Sequence, residues 1–216
     1  MSIRSALNDI THDEAVAHLQ EYFSPDDPFY TGSCFESLES YNNPEDRITS
    51  SDLYAVATLN TPIKRKAAMG ILITDADEIN GYLSRITTKH LGALTADEFE
   101  EHLGAESAAG KLWDALRRRT KPTEEKWNVG PTRASKIMAR KRPHLIPIND
   151  RVIRRVIDKK RGEDDWRLWW EALSVDDELE RRAEALRSDI GRPELSTLRV
   201  LDIVLWMSGT KGFHKL

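Results

Sequence analysis

The sequence contains a single cysteine, Cys34, among 216 residues. One cysteine cannot close an internal disulfide, and it cannot supply the several thiolates of a structural zinc site. The six histidines are scattered, and no close pair has the spacing that places two metal ligands on neighbouring turns of a helix. These shortages exclude a disulfide scaffold and a structural zinc site.

Long apolar runs are also missing from the chain. No run approaches the roughly 20 residues that a helix needs to cross a bilayer, and residues 1–10 lack the basic start and apolar core of a signal peptide. Hydrophobic residues make up 39% and charged residues 31% of the sequence, a balance typical of a folded protein rather than a disordered tail. We therefore expect one compact, monomeric, cytoplasmic domain over residues 1–216, without a membrane partner.

The formal net charge of −4 is unevenly distributed. Residues 111–162 contain 17 Lys and Arg against 5 Asp and Glu, a net charge of +12, and the rest of the chain therefore carries −16. Because a local field matters more than the sum of charges, this basic block predicts a surface for a polyanion such as double-stranded DNA. The alternative is a solvated helical face that binds nothing.

Amphipathic periodicity predicts helices along most of the chain, and no hairpin signal joins alternating apolar and polar runs. The predicted helices cover residues 12–23, 50–59, 61–73, 76–89, 95–103, 106–118, 131–141, 150–160, 164–173, 175–190 and 193–208. A stretch rich in turn-forming residues separates the first two helices. The sequence thus favours a compact all-α fold.

The segment from Lys126 to Pro131 has the composition of a tight turn that starts a helix. Asn128 and Gly130 tolerate the left-handed backbone conformation, and Pro131 suits the first helical position because it needs no amide partner. Amides at such a helix start, flanked by cations, can bind a phosphate without reading base sequence. We therefore predict contacts to a DNA backbone from seven residues: Lys126, Asn128, Gly130, Thr132, Arg133, Lys136 and Arg140.

The residues Val129-Gly130-Pro131-Thr132-Arg133-Ala134 resemble the hairpin of the helix-hairpin-helix DNA glycosylase superfamily, although Trp127-Asn128 replaces the usual Pro-Gly. The resemblance continues downstream. In that superfamily a short loop, a proline and a catalytic aspartate lead into a helix with valine and arginine, and here the corresponding residues are Pro147-Ile148-Asn149-Asp150-Arg151-Val152. The resemblance implies a glycosylase-like domain with its helix-hairpin-helix at residues 111–161.

The same resemblance implies a catalytic role for Asp150. A fixed carboxylate can stabilise the positive charge that develops on the sugar as an N-glycosidic bond breaks, and it can orient water. Alignment on Val152 and Arg154 puts Asn149 in that position instead, so both Asp150 and Asn149 are candidate catalytic residues. The alternative role for Asp150 is an ordinary helix N-cap.

Some members of the superfamily carry a Schiff-base lysine at the start of the second hairpin helix, where this chain has Thr132. Lys136 lies one turn further on, and a phosphate contact is the more favoured role for it. The resemblance therefore implies a monofunctional, hydrolytic DNA glycosylase. The iron–sulfur cluster of some branches needs four cysteines and is excluded here, so we expect no cofactor.

A glycosylase must also hold a flipped base, commonly between aromatic faces. In the irregular part of residues 24–60, Tyr30, Phe35 and Glu36 are candidates for such a base pocket, because loops present polar groups that helix interiors cannot. The alternative is an aromatic cluster that packs this segment onto the helices.

The sequence favours a glycosylase that removes a modified or damaged base, in DNA repair or in defence against phage DNA with modified bases. Two other functions stay open: a non-enzymatic helix-hairpin-helix DNA-binding protein, and a helical domain whose basic block binds an acidic protein partner. Steep salt dependence distinguishes DNA binding from the last of these. Release of a free base distinguishes an enzyme from a DNA-binding protein.

Overall fold

The computed structural model describes residues 1–26, 29–119, 121, 126–160 and 164–213, with side chains up to residue 210. All regular secondary structure in these ranges is helical, and they contain no β-strand. The predicted all-α class is therefore confirmed. Within the same ranges, no helix is both long and apolar enough to cross a membrane.

Helices follow one another along the described chain with short connections. In chain order they are α1 (Ile3–Asn8), α2 (His12–Tyr22), α3 (Ser50–Thr58), α4 (Arg65–Met69), α5 (Ala76–Leu83), α6 (Ala96–Leu103), α7 (Ala108–Leu116), α8 (Pro131–Lys141), α9 (Arg151–Val156), α10 (Asp165–Leu173), α11 (Glu178–Asp189) and α12 (Thr197–Phe213). Short 3₁₀ turns at Thr31–Cys34, Ser40–Asn42 and Leu91–Ala93 complete the helical structure, together with a π-helical turn at Gly70–Thr74.

The chain divides into two compact units. Unit 1 consists of Met1–Tyr30, His90–Ala93 and Pro143–Leu216, and unit 2 consists of Thr31–Lys89 and Leu94–Arg142. Unit 1 thus combines both ends of the chain, whereas unit 2 is the middle of the chain. The predicted helix-hairpin-helix segment, residues 111–161, contributes to both units.

Unit 1 is organised around α12. This helix contacts α1, α2, α9 and α11, and its side chains from Leu198 to Leu205 are all buried. A helix with apolar residues on every side is stable only when neighbours surround it. The sequence of α12 therefore explains why it lies in the centre of unit 1.

Unit 2 is organised around α7 and α8. The helix α7 packs against α5, α6 and α8, and α8 also packs against α3. The core contains large, fully buried side chains from these helices, namely Ile79, Leu83, Phe99, Leu112, Leu116, Ile137 and Met138. Each helix contributes one apolar face, as amphipathic periodicity requires.

Side-chain caps set the starts of several helices. Thr11, Thr49 and Thr95 each form a capping box with the acidic residue three positions later, which satisfies amides that have no partner within the helix.

Several predicted bounds differ from the structure. The helix α1 was not predicted, and the helices α5 and α9 end at Leu83 and Val156, before the predicted residues 89 and 160. The helix predicted from Thr61 begins only at Arg65, and the Thr61 hydroxyl donates to the Val56 carbonyl at 3.1 Å instead of capping.

The connection between α4 and the π-helical turn depends on a glycine. Gly70 ends α4 beside the indole of Trp127, and a Cβ at this position would lie 2.0 Å from Cζ2 of that indole. The absent side chain therefore lets the Trp127 ring pack directly on the helix backbone.

We expect Gly70→Ala to destabilise the protein, because the added methyl group must displace the Trp127 ring, and overpacking of this kind costs about 1–3 kcal/mol. Gly81→Ala on α5 is the matched control, since a Cβ there meets nothing within 4 Å and Ala is favoured over Gly in a helix by about 1 kcal/mol. Urea unfolding should give a lower midpoint for Gly70→Ala and a higher one for Gly81→Ala. Equal midpoints would contradict the packing of Trp127 on Gly70.

Candidate nucleic-acid interface

Several cations on α8 lie inside the protein. Lys136 and Arg140 are only 4% and 8% exposed. The Lys136 ammonium donates to the Leu59 carbonyl at 2.9 Å, and the Arg140 guanidinium donates to the carbonyls of Phe35 and Glu36, both at 2.6 Å. The prediction that Lys136 and Arg140 line a DNA backbone is therefore wrong, because both side chains satisfy backbone carbonyls of unit 2.

A buried carboxylate accompanies these cations. Asp52 on α3 is completely buried; its Oδ2 lies 2.8 Å from Nζ of Lys141, and its Oδ1 lies 3.4 Å from Nε of Arg140. Burial lowers the pKa of Lys141, and the hydrogen bond and charge of Asp52 oppose that shift. Much of the basic block is thus an internal scaffold, so its net charge of +12 overstates the basic surface.

The turn before α8 lies at the surface, and its backbone agrees with the prediction in part. Asn128 is exposed and left-handed, with φ of 56°, and Pro131 occupies the first helical position. Gly130 is extended, with φ of −83° and ψ of −179°, and a Cβ there would meet nothing within 4 Å. The prediction that Gly130 adopts the left-handed conformation is wrong; Asn128 alone supplies it in this turn.

Arg133 braces this turn. Its Nε donates to the Pro62 carbonyl at 3.0 Å, and its Nη1 donates to the Asn128 carbonyl at 3.4 Å. The amides of Thr132 and Arg133 have no intrahelical partner, because the first bond of α8 runs from the Ala134 amide to the Gly130 carbonyl. The start of α8 therefore combines a fixed turn with outward amides.

An open pocket of about 500 Å³ lies against this turn, with all of its lining residues in unit 2. Its lining consists of Ile63, Lys64, Arg65, Lys66, Lys126, Trp127 and Asn128. All four of its cations are exposed. We name it the cationic pocket.

Sequence analysis missed three of these four cations. Residues 64–66 lie outside the basic block and fall within a helix that was predicted to start at Thr61. The available signal was the run of three consecutive cations, Lys64-Arg65-Lys66, just after Pro62. Their distance in sequence from Lys126 gave no indication that they share a pocket with it.

Trp127 forms a fixed wall of the cationic pocket. The indole is 7% exposed, and the Arg118 guanidinium lies over it at 4.3 Å from the ring centroid. Arg118 and Lys121 each approach Oδ2 of Asp75 at 2.9 Å. These two cations of the basic block are thus paired with the same carboxylate.

The two catalytic candidates lie at the start of α9, in unit 1. Asp150 is the N-cap, and its Oδ1 accepts a hydrogen bond from the Val152 amide at 2.7 Å. Asn149 is 5% exposed and donates to the carboxylate of Asp165, which also binds Nζ of Lys159 at 2.6 Å. Asp150 is therefore the more accessible candidate, and Asn149 belongs to a buried polar network.

The three predicted base-pocket residues divide between the units. Tyr30 is in unit 1, where its ring stacks on Tyr22 at 5.5 Å and meets Trp206 edge-on at 5.9 Å. Phe35 and Glu36 are in unit 2, and Phe35 is only 3% exposed. Packing covers the Phe35 ring, and Glu36 is half-buried; the base pocket formed by Tyr30, Phe35 and Glu36 stays a prediction.

The model of the family of unknown function DUF6308 matches residues 15–209. Since the match spans most of the sequence, the chain belongs to this family. No curated protein and no solved structure matches the chain.

We expect Asp52→Ala to destabilise the protein by about 3–5 kcal/mol, because it leaves buried cations without their carboxylate. Asp177→Ala is the matched control: Asp177 pairs with Arg181 at 3.0 Å, the side chains of both residues are exposed, and an exposed ion pair contributes about 0–1 kcal/mol. Urea unfolding of both variants checks this difference. A similar loss in the two variants would contradict the central role of Asp52.

The conformation of the turn before α8 can be tested with a second pair of variants. Asn128→Val should cost about 1–2 kcal/mol, because a β-branched residue is strained in the left-handed region. Gly130→Ser should leave stability unchanged or raise it slightly, since Ser suits an extended N-cap. Thermal unfolding measures both, and a large loss in Gly130→Ser would contradict the extended conformation of Gly130.

Proposed function

We propose that this member of the DUF6308 family binds DNA and hydrolyses the N-glycosidic bond of a modified or damaged base, as a monofunctional DNA glycosylase. The observation that carries the proposal is the exposed turn before α8. There the left-handed Asn128 and the N-terminal Pro131 lie within the segment that resembles the hairpin of the helix-hairpin-helix DNA glycosylases. Along the chain, Asp150 follows at the start of α9.

The start of α8 supplies the phosphate contact in this proposal. The helix α8 is 11 residues long, and its aligned peptide dipoles place a partial positive charge at its N-terminus. The amides of Thr132 and Arg133 carry this charge. The exposed Lys126 adds a full charge on the segment that leads into the turn. Such contacts position a DNA backbone and leave the choice of base to other residues.

Asp150 supplies the charge that the reaction needs. Water adds to the anomeric carbon of the sugar as the bond to the base breaks, and the base leaves with a proton. The sugar carries positive charge in the transition state, so a nearby oriented carboxylate lowers the barrier. The hydrogen bond from the Val152 amide at 2.7 Å holds the Asp150 carboxylate in one orientation at the helix start.

The placement of Lys136 supports a hydrolytic reaction rather than a lyase reaction. A Schiff base needs an amine that can reach the sugar carbon. Lys136 is buried and its ammonium donates to the Leu59 carbonyl, while Thr132 occupies the position of the superfamily's lysine. No amine is therefore presented at the start of α8 by these two residues.

A second function, DNA binding without catalysis, is favoured by the cap geometry of Asp150. An N-cap aspartate that accepts an amide at 2.7 Å has a sufficient structural reason to be there. In this case the start of α8 binds DNA, and Asp150 only stabilises α9. Repair and defence against phage DNA are both compatible with the first function, and the identity of the released base distinguishes them.

We expect Asp150→Asn to slow single-turnover base release by roughly 10²- to 10³-fold, because the charge is lost while the shape is kept. DNA affinity should hold or improve, since a negative charge is removed. The measurement is mass spectrometry of bases released from DNAs with different base modifications. Wild-type protein that binds these DNAs but releases no base would support the non-enzymatic function instead.

Asp164→Asn is the matched control for this experiment. Asp164 is the N-cap of α10, also in unit 1, and accepts a hydrogen bond from the Trp166 amide at 3.0 Å. It loses the same charge in the same capping geometry. Base release should stay at the wild-type rate in Asp164→Asn, and an equal loss in both variants would assign the effect to helix stability rather than to chemistry.

A further inference from the structure

We infer that the cationic pocket binds a nucleotide unit through its phosphate groups, either within a DNA strand or as a free nucleotide. The site is separate from the amides at the start of α8, and three of its cations lie outside the basic block. The inference about a DNA strand rests on the proposed function, whereas the inference about a free nucleotide does not.

The first argument is the charge of the pocket. Lys64, Arg65 and Lys126 take part in no ion pair among the residues that the structure describes, and all three are exposed on one pocket of about 500 Å³. Clustered like charges repel one another, and a bound anion relieves that repulsion. Phosphate groups are the anions that several adjacent Lys and Arg side chains bind best.

Other cations of unit 2 show the contrast. Lys141 is paired with the buried Asp52, and Arg118 is paired with Asp75 at 2.9 Å. Lys89 is paired with Glu98, and this pairing, together with the Thr95 amide, lowers the pKa of Glu98 to about 2. The structure thus supplies carboxylates to cations that have a structural role, which indicates that Lys64, Arg65 and Lys126 have a different role.

The second argument is the shape and lining of the pocket. Its volume lies within the roughly 300–1,000 Å³ of small-molecule sites, so it accommodates more than a single phosphate. Ile63 and the fixed indole of Trp127 form an apolar wall, and Asn128 provides an exposed amide group. A nucleotide joins a flat, largely apolar base to charged phosphates, and this combination matches a wall of this kind with cations around it.

The Trp127 wall is also preformed. The Arg118 guanidinium covers one part of the ring, and the backbone of Gly70 packs against another. A ligand therefore meets an ordered surface, and binding does not require the loss of side-chain freedom at this residue. The exposed side chains of Lys64, Arg65 and Lys126 supply the charge that binds the phosphates.

The test is a triple variant, Lys64→Gln with Arg65→Gln and Lys66→Gln, which removes three charges and keeps long polar side chains. The matched control is Arg47→Gln with Arg85→Gln and Lys111→Gln, three exposed cations of unit 2 outside the pocket. Both variants change the net charge equally, and thermal unfolding verifies that both are folded. The single variant Arg65→Gln replaces the triple variant if the triple variant does not fold.

Fluorescence anisotropy with labelled single-stranded DNA, duplex DNA and ATP measures the binding. We expect the pocket variant to bind at least one probe about ten-fold or more weakly than the control, and the slope of log affinity against log salt for a DNA probe to fall by about 2 to 3 units. If the pocket variant binds DNA more weakly than the control but binds ATP equally well, the ligand is a DNA strand. If the pocket variant binds ATP more weakly than the control, the ligand is a free nucleotide. Equal binding by the pocket variant and the control for every probe would overturn the inference.

The outcome is independent of glycosylase activity. A wild-type protein that releases no base but needs Lys64, Arg65 and Lys66 for DNA or ATP binding would refute the proposed enzyme and support the pocket. A protein that releases base while the pocket variant binds every probe as the control does would refute the pocket and leave the enzyme in place.

Discussion

The buried carboxylate of Asp52 is the interaction on which the organisation of unit 2 depends. It closes a capping box with Thr49 at the start of α3, and it pairs with Lys141 and Arg140 at the end of α8. An isolated charge in this position would be strongly unfavourable, so each partner requires the others. This cluster holds α3 against α8, and α8 in turn holds the irregular segments whose carbonyls its cations bind. The position of the exposed turn before α8 follows from this framework.

Cations of one sequence block therefore have two different roles. Lys136, Arg140 and Lys141 bind carbonyls and a carboxylate inside unit 2, whereas Lys126 is exposed at the turn. The cationic pocket combines this residue with Lys64, Arg65 and Lys66 from a different part of the chain. The exposed positive charge at this turn therefore comes from two separate segments of the chain, and the basic block contributes only one of its four cations.

At the start of α9, the structural role and the proposed chemical role belong to the same residue, Asp150. An aspartate at an N-cap is held by a backbone amide, and the same hydrogen bond orients a carboxylate for electrostatic stabilisation. Geometry alone does not separate these roles, because Asp164 caps α10 in the same way. Asn149, by contrast, belongs to the network with Asp165 and Lys159, and Asp150 is the more accessible of the two candidates for the proposed reaction.

Local interactions explain what the sequence by itself determined. The all-α class, the bounds of α8, the left-handed Asn128 and the capping position of Asp150 depend on residues within a few positions of one another, so periodicity and turn chemistry were sufficient. Only the tertiary structure decided which cations are exposed. The Lys136 ammonium donates to a carbonyl 77 residues away, and the Arg140 guanidinium donates to a carbonyl 105 residues away. The same holds for the cationic pocket, which joins residues 64–66 to residue 126. A charge count along the chain contains no information about such distant partners, and burial, not composition, decides whether a cation meets solvent.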